Sequence, residues 1–312
     1  MIRNNVNSKK RNRFFVFDNI LGDSDWARRM RRRIVQSSTH RFNAFIFGPQ
    51  GCGKRLIARA LHEHGPRSHS PFIQVDCSRL PADLFRTQFF GKAYLETTTL
   101  GCLLAADGGT VFLADVDQLS LETQREVLET LENKFVVPCG SDEKRDFDVR
   151  VIAGSRKDLE REVREGRFDV ELYRRLCVLP FEVTPLASRP ADILPIARHL
   201  VAKLTFENGQ GIKSLSSDAS ELLKAYDWPH NVSEMRDVLE KAIYLAGDES
   251  VIDASHVPID FAAHAKDWST LADVQANHIR HTVAAAGGNL DRAASMLGIT
   301  TVELNERLSQ IG

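Results

Sequence analysis

The stretch 48–54, GPQGCGK, constrains the fold more than any other part of this sequence. It matches the pattern G-x-x-x-x-G-K and stands between an apolar run, RFNAFIFG, and a segment with helical spacing, KRLIARALHEH. Its glycines let backbone amides approach phosphate oxygens, while the lysine and the helix N-terminus add positive charge. A glycine-rich turn that binds nothing would not explain the coincidence of strand, loop, lysine and helix. The predicted phosphate-binding residues are Gly48, Pro49, Gln50, Gly51, Cys52, Gly53, Lys54 and Arg55.

A parallel sheet is predicted around this loop. The β-rich runs PFIQVDC, TVFLADV and DVRVIAGS follow one another along the chain, with helical segments such as LSLETQREVLETLEN between them. Short apolar strands that alternate with helices are typical of a parallel sheet covered on both faces. After PFEVTPLASRP only helical spacing remains, and Asn231 and Glu234 have the spacing of a capping box. We therefore expect an α/β domain followed by a small helical domain.

The last segment, from residue 271 onward, is predicted to form three helices broken at GGN and LGIT. A short helix, a glycine turn and a second helix that begins at Thr300, with Glu303 three residues later, match a helix-turn-helix. A small helical bundle that binds another protein fits the same spacing. The pattern leaves both alternatives open.

Composition excludes several classes of protein. The 312 residues suffice for two or three domains, with 43% hydrophobic and 27% charged residues. No apolar run approaches the ~18 residues that cross a bilayer, and the basic N-terminus lacks the apolar core of a secretory signal. Five scattered cysteines without a C-x-x-C pair favour reduced thiols over a disulfide or zinc framework. We expect a cytoplasmic protein with no membrane segment and no metal-ligating residues.

Positive charge is concentrated at the N-terminus, where residues 1–33 carry +7 in a chain whose net charge is −1. Within DWARRMRRRIV, Trp26, Met30 and Ile34 recur every four residues, as one face of a helix would. This helix either docks by that stripe with solvated arginines outside or offers a phosphate-contacting surface to nucleic acid. We favour the first interpretation.

The residues that would hold magnesium depart from what phosphate-loop enzymes use. Such enzymes hold the metal with a Ser or Thr after the lysine and with an acidic residue at the end of a second strand. Here these positions are Arg55 and Ala114. Asp115 could orient a water molecule, but strand alternation should aim it differently from residue 114. A solvated strand end or a helix cap is a competing role for both Asp115 and Asp117.

Together these motifs resemble the sigma-54-dependent transcriptional activators, a bacterial AAA+ family. The similarity extends from about residue 18 to 312 and includes AADGGTVFL, VRVIAGSRKDL, EGRFDVELYRRLCVLPF, WPHNVSEM and the Fis-like GGNLDRAASMLGI. No phosphorylation-receiver domain is recognised before the ATPase module. The resemblance implies a basic tail (1–18), an AAA+ α/β nucleotide-binding subdomain (19–186), a helical lid (187–247), a linker (248–268) and a three-helix helix-turn-helix domain (269–312).

Members of this family form rings, bind ATP between subunits and use hydrolysis to push a G-A-F-T-G-A loop against sigma-54. The resemblance therefore implies ATP or ADP as ligand, and a homo-oligomer or a mixed ring with a related activator. It also implies sigma-54 as a partner, but the signature itself is absent. Between Gly91 and Gly108 stands only KAYLETTTLGCLLAAD, which is several residues too short.

Further functional positions of the family are changed here. The acidic pair is Ala114-Asp115, the sensor asparagine is Arg156, the first arginine that reaches a neighbour's phosphate is Asp169, and the lid arginine is Ser233. The second such arginine is kept as Arg175. Without an acid at 114 a magnesium ion loses a ligand, and an arginine finger is worth on the order of 10³-fold or more in turnover. Weak or absent hydrolysis is therefore predicted, with Asp115 and Arg175 as the remaining candidate catalytic residues.

The predicted recognition helix, TTVELNERLSQ, has little positive charge. Thr300 and Thr301 could bond phosphates, Asn305 could read a base, and Arg307 is the one basic residue. Because residues 288–312 carry a net charge of −1, a single copy would bind promoter or enhancer DNA weakly. A dimerising tail with little affinity for DNA is the alternative.

Three functions follow from these patterns. The first, which we favour, is a regulator that binds ATP or ADP and DNA with impaired or absent hydrolysis, acting by occupancy or within another activator's ring. The second is a working ATPase that remodels sigma-54 polymerase with Asp115 as base and Arg175 as finger. The third is a protein-interaction scaffold that binds neither ligand.

Overall fold

The computed structural model describes residues 20–78, 81–94, 97–259, 279, 282–283, 286, 290–301, 303–304 and 307–308. The predicted basic tail (1–18) and the second part of the predicted linker (260–268) lie outside these residues. The chain forms two compact units, one ending at Pro258 and one beginning at Ile259. In the part of the chain that is described, no helix is both long and apolar enough to cross a membrane.

The central sheet contains five parallel strands among the described residues, in the order β2-β5-β8-β1-β9. Smaller pairs are β3–β4 and β6–β7, both antiparallel, and β10–β11, which is parallel. In chain order the strands are β1 (Ala44–Phe47), β2 (Phe72–Asp76), β3 (Gly91–Tyr94), β4 (Thr97–Leu100), β5 (Thr110–Ala114), β6 (Phe135–Val136), β7 (Arg145–Asp146), β8 (Arg150–Ser155), β9 (Leu179–Glu182), β10 (Ser214–Leu215) and β11 (Val251–Ile252).

Helices cover both faces of the sheet and predominate in the part of the first unit that follows β9. In chain order they are α1 (Asp25–Ser38), α2 (Lys54–Glu63), α3 (Ala82–Phe90), α4 (Cys102–Ala105), α5 (Leu121–Asn133), α6 (Leu159–Arg164), α7 (Val170–Leu176), α8 (Ile193–Glu207), α9 (Ser217–Ala225), α10 (Asn231–Leu245) and, in the second unit, α11 (Leu290–Leu297).

Alternation along the strands divides the core into two layers. Val111 and Leu113 of β5 pack on the side of α3, α5 and α7, whereas Phe112 packs with β1, α1 and α2 on the other side. Because side chains of a strand point alternately to the two faces, these near-continuous apolar runs bury both faces at once. The predicted α/β fold with a parallel sheet is confirmed.

Helix α1 docks by its apolar stripe. Met30 and Ile34 are buried, and Trp26 packs against the same cluster. Two of the arginines anchor the helix rather than only facing solvent: Arg31 donates to the carbonyl oxygens of Ile20 and Gly22, and Arg33 donates to that of Pro180. The stripe therefore docks as expected, while a role of the remaining arginines in nucleic-acid binding stays a prediction.

The helical lid consists of α8, α9 and α10, and one predicted feature of it is wrong. Helix α10 begins at Asn231 with His230 as its N-cap, and no side chain caps it as a capping box would. Asn231 has a left-handed backbone (φ 57°), which removes its side chain from the capping position. Glu234 instead accepts the backbone N–H of His230 at 2.9 Å.

Residues 248–259, the first part of the predicted linker, are structured. Strand β11 pairs with β10, and Ile252 is fully buried. The backbone N–H of Ser216 donates to the carbonyl oxygen of Ile252 at 3.0 Å. These contacts extend the lid beyond residue 247.

The second unit has its own small core. Ala293, Ala294 and Leu304 are buried there, together with Ile279 and Ala286. Gly298, at φ 68°, ends α11, and a second helical stretch begins after Thr300. A helix, a glycine turn and a helix agree with the expected helix-turn-helix.

Candidate nucleotide site

The predicted phosphate loop connects the carboxyl end of β1 to the N-terminus of α2. Gly51 and Gly53 have positive φ angles of 73° and 103°, a backbone region that favours glycine. Gly48 N–H donates to the carbonyl oxygen of Ser155 at 3.2 Å, which joins the loop to the end of β8. The loop thus lies where the strand order reverses, which is where ligands bind in open α/β sheets.

The loop is closely packed against its neighbours. A Cβ atom at Gly51 would lie 2.0 Å from the carbonyl oxygen of His230, and one at Gly48 would lie 2.7 Å from that of Val183. Cys52 is buried, and burial raises the pKa of its thiol. The cysteine therefore fills space beneath the loop as a neutral group.

Lys54 is held inside the loop by backbone and side-chain oxygens. Its Nζ donates to the carbonyl oxygens of Gly48 and Pro49 at 2.8 and 3.1 Å. A carboxylate oxygen of Asp115 lies 3.8 Å from the same nitrogen. In contrast, Arg55, the next residue along, is exposed on the first turn of α2.

Asp115 does not follow the alternation of strand β5. The strand ends at Ala114, whose methyl group packs beside the core that contains Ile57, and Asp115 adopts a left-handed backbone with φ 54°. This turn brings its carboxylate to Lys54, with Arg156 Nε on its other oxygen at 3.5 Å. Burial raises the pKa of Asp115, and the charges of Lys54 and Arg156 oppose that rise. Strand alternation therefore does not determine where Asp115 points, because the residue lies outside the strand.

Asp117 stabilises the end of β8. One of its carboxylate oxygens accepts the Ser155 hydroxyl at 3.0 Å and the Arg156 backbone N–H at 3.2 Å. Asp117 thus fixes the point from which the Arg156 side chain departs. This contact gives Asp117 a structural role at a strand end.

A magnesium ion does not fit the side chains at this end of the sheet. Ala114 offers no ligand, and each oxygen of Asp115 already faces a cation, Lys54 or Arg156. Over the described ranges, no group of three or more His, Cys, Asp or Glu side chains is placed to hold a metal ion. A divalent cation here would also lie beside two fixed positive charges, which would repel it.

A cavity of about 150 Å³ opens directly beside the loop. It is mostly apolar and connects the loop to the segment before α1 and to the lid. Its lining residues are Ile20, Leu21, Trp26, Cys52, Gly53, Leu56, Ile57, Arg189, Ile196, His199, Leu200, Lys203 and Val232. The motif search missed this cavity because its walls come from three distant segments with no spacing signal of their own.

One buried cation lines this cavity. Arg189 is 5% exposed, stacks on the Trp26 ring at 4.2 Å and donates to the carbonyl oxygen of Cys52 at 3.2 Å. Burial lowers the pKa of Arg189, and Asp192, 3.8 Å away, opposes that change. The Nε atom of Arg189 is buried and has no hydrogen-bond partner within the described part of the chain.

The lid contacts the phosphate loop through Asn231. Its Nδ2 donates to the carbonyl oxygen of Gln50 at 2.9 Å, and its Oδ1 accepts the Leu186 backbone N–H at 2.7 Å. Ser233, which replaces the family's lid arginine, has its Cβ 3.1 Å from the Cβ position of Gly51. Residue 233 of the lid therefore lies beside the phosphate loop, but the short serine side chain carries no charge.

Two positions expected to reach a neighbouring subunit are engaged within this chain. Asp169 caps α7 by accepting the backbone N–H groups of Glu171 and Leu172, both at 3.0 Å. Arg175 donates to the carbonyl oxygen of Leu131 at the end of α5, at 2.5 Å. Asp169 thus has a structural role, and Arg175 would have to release Leu131 to act as a finger.

A short hairpin stands where the family carries its sigma-54-contacting loop. Strand β3 also contacts the β6–β7 hairpin through Cys139. Ala93 N–H donates to the carbonyl oxygen of Cys139, and Cys139 N–H donates to that of Gly91, both at 2.9 Å. Gly91 and Gly101 are close together at the base, where a Cβ atom on Gly101 would lie 2.4 Å from the Gly91 nitrogen. The turn residues 95 and 96 lie outside the described residues.

The predicted DNA-binding residues belong to the second unit, and three of them can be placed. Thr300 Oγ1 accepts the Glu303 backbone N–H at 3.2 Å, and the Thr301 hydroxyl donates to Asp291 at 3.0 Å. Arg307 pairs with Glu303 at 2.6 Å and remains 41% exposed. Asn305 lies outside the described residues. DNA contact by these side chains stays a prediction.

Family comparisons agree with this architecture. Residues 20–182 match the sigma-54 interaction domain, 187–273 the AAA+ ATPase lid domain, and 270–310 the bacterial regulatory proteins of the Fis family. The first of these matches alone spans more than half of the chain.

Several similar proteins match nearly the whole chain. The response regulator protein PilR of Pseudomonas aeruginosa is 33% identical over 95% of this chain and 70% of its own length. The nitrogen fixation protein AnfA of Azotobacter vinelandii is 31% identical, over 96% of this chain and 58% of its own length. A crystal structure of NtrX from Brucella abortus in complex with ATP superposes with a TM-score of 0.71 at 27% identity, covering 94% of this chain and 69% of NtrX. The chain therefore belongs to the sigma-54-dependent transcriptional regulators that combine an AAA+ domain, its lid and a Fis-type helix-turn-helix.

Proposed function

We propose that this regulator binds ATP or ADP at the phosphate loop and hydrolyses ATP weakly or not at all. The observation that carries the proposal is the contrast between an intact loop around Lys54 and the altered groups facing it. Ala114 cannot hold a metal, Asp169 caps a helix, and Arg175 is bonded to its own chain. NtrX, whose structures were solved with ATP and with ADP, supports nucleotide binding by this architecture.

The apolar cavity beside the loop fits the base of the nucleotide. It begins at Cys52 and Gly53, so a ligand with its phosphates on the loop would extend directly into it. Apolar walls with a few polar groups are typical of small-molecule sites. Because the lid lines the same cavity, bound nucleotide would stabilise one position of the lid.

On this view nucleotide acts as a structural ligand of a transcription regulator. The helix-turn-helix would deliver the chain to promoter or enhancer DNA, with two tails together compensating for a weakly charged recognition helix. The AAA+ unit would join a homo-oligomer or a mixed ring with a related activator. Contact with sigma-54 would have to use a surface other than the missing G-A-F-T-G-A loop.

One observation favours the alternative of a working ATPase. The left-handed turn at Asp115 brings a carboxylate within 3.8 Å of the Lys54 nitrogen, close to where a water-orienting group would be needed. In this alternative Asp115 acts as base and Arg175, released from Leu131, as finger.

Binding and turnover measured on one sample separate these functions. We expect saturable ATP and ADP binding, and no phosphate release above background at any oligomer concentration. Steady turnover that is lost in both Lys54→Ala and Arg175→Ala would support the working ATPase. Absence of nucleotide binding, together with no salt-dependent shift of promoter DNA, would support the scaffold.

A further inference from the structure

We propose that this chain binds nucleoside di- and triphosphates in their metal-free form, with Arg156 and Lys54 together supplying the positive charge that a divalent cation supplies elsewhere. The inference rests on the proposed nucleotide binding and specifies the ionic form of the ligand.

Arg156 and Lys54 are paired through one carboxylate. Lys54 Nζ lies 3.8 Å from Asp115 Oδ1, and Arg156 Nε lies 3.5 Å from Asp115 Oδ2. The two cations therefore flank a single anionic group beside the phosphate loop. Since the lysine of this motif contacts the terminal phosphates, Arg156 is placed within reach of the same end of the ligand.

The backbone that carries Arg156 is fixed to the loop. Ser155 accepts the Gly48 N–H through its carbonyl oxygen, and Asp117 holds both the Ser155 hydroxyl and the Arg156 N–H. The Arg156 side chain remains 33% exposed, so it can turn toward a ligand. A guanidinium offers several donors in one plane and forms two parallel bonds with phosphate oxygens.

Charge around the loop favours an anion over a metal-bound nucleotide. Lys54 and Arg156 against Asp115 leave one positive charge, and the exposed Arg55 adds another. A metal ion at Asp115 would compete with its two cationic partners, Lys54 and Arg156, and would be repelled by both. Metal-free phosphates, in contrast, would gain from each of these cations and be opposed by Asp115 and, more weakly, by Asp117 and Asp76.

Calorimetric titration of the full chain with ADP and with ATP tests this directly, once with excess magnesium and once with EDTA. We expect ADP and ATP both to bind more tightly in EDTA than in excess magnesium, with the larger difference for ATP, because magnesium in solution removes the metal-free nucleotide. Equal or weaker binding on chelation would overturn the metal-free mode while leaving nucleotide binding intact. Absence of binding in both buffers would instead overturn nucleotide binding itself, and with it this inference.

A variant and a matched control test whether Arg156 supplies positive charge to the bound nucleotide. Arg156→Gln should weaken ADP binding about tenfold in EDTA, because a charge-assisted contact is lost. Arg161→Gln, which removes an exposed arginine paired with Glu165 on α6, is the matched control and should leave affinity unchanged. Unchanged affinity in a folded Arg156→Gln protein would overturn the role of Arg156.

Asp115→Asn should have the opposite effect. Asparagine keeps the size of the side chain and tolerates the left-handed backbone, but it no longer neutralises Lys54 and Arg156. We expect ADP to bind about threefold tighter or more in EDTA. Weaker binding of ADP by Asp115→Asn in EDTA would show that Asp115 assists nucleotide binding. It would contradict the proposal that Lys54 and Arg156 turn from Asp115 to the phosphates.

Discussion

The carboxyl ends of β1 and β5 lie in one sheet with only β8 between them, yet they differ in what they retain. The end of β1 keeps glycines at positive φ, a helix N-terminus and a lysine, all of which form the phosphate loop. The end of β5 has a methyl group where a metal ligand is needed, and a carboxylate that two cations already neutralise. The phosphate loop is built largely from backbone and can persist with the fold, whereas catalysis depends on individual side chains that can change one by one.

The largest expected effect is a loss of stability when the tight packing of the phosphate loop against the lid is disturbed. Gly51→Ala places a Cβ atom 2.0 Å from the His230 carbonyl oxygen at a positive φ, and we expect a loss of about 3 kcal/mol in the free energy of unfolding. Gly166→Ala, at φ 70° with open space around it, should lose only about 1 kcal/mol. Urea denaturation measures both, and equal losses would show that the contact with His230 is unimportant.

Removing the lysine should abolish most nucleotide affinity without affecting the fold. Lys54→Ala deletes a full charge at the phosphates, so ADP should bind on the order of 100-fold more weakly. Lys224→Ala, which changes an exposed lysine of the lid, is the control. If Lys54→Ala bound ADP as tightly as the unmodified chain, the phosphate loop after β1 would have lost its ligand contacts just as the end of β5 has lost its metal ligand.

A smaller loss of stability is expected when the hydrogen bonds of Asn231, which join the lid to the phosphate loop, are changed. Asn231→Asp keeps the acceptor for Leu186 N–H but turns the donor toward Gln50 into a second acceptor. Because the side chain is buried, we expect a loss of about 2 kcal/mol in the free energy of unfolding. Asn208→Asp, at an exposed helix end, should cost less than about 0.5 kcal/mol. A similar loss for both variants in thermal denaturation would show that the bridge does not join the lid to the loop.

The smallest expected effect concerns a position where the family has an arginine. Asp169→Ala removes the cap of α7 and should cost about 1 kcal/mol, whereas Asp169→Asn keeps an acceptor and should cost a few tenths. Chemical denaturation of the pair checks this. A neutral or stabilising Asp169→Ala would contradict the structural role of Asp169.

Sequence patterns predicted elements better than they predicted side-chain directions. Apolar alternation and the glycine-lysine motif located β1, α2, β5 and β8, because burial and phosphate-loop geometry leave few other conformations. The side-chain directions of Asp115 and Asn231 could not be derived from the sequence, because each residue has a positive φ angle that no spacing pattern indicates. The cavity escaped prediction because tertiary packing, not local sequence, brings Ile20, Ile57 and Leu200 together.

Single-turnover conversion of ATP, with protein in excess over nucleotide, tests the central claim most directly. The account predicts that ATP bound at the loop is recovered intact, with or without magnesium, because Ala114 cannot hold a metal, Asp169 caps a helix and Arg175 is bonded to Leu131. Conversion of the bound ATP to ADP by the unmodified chain, lost in Lys54→Ala, would contradict it.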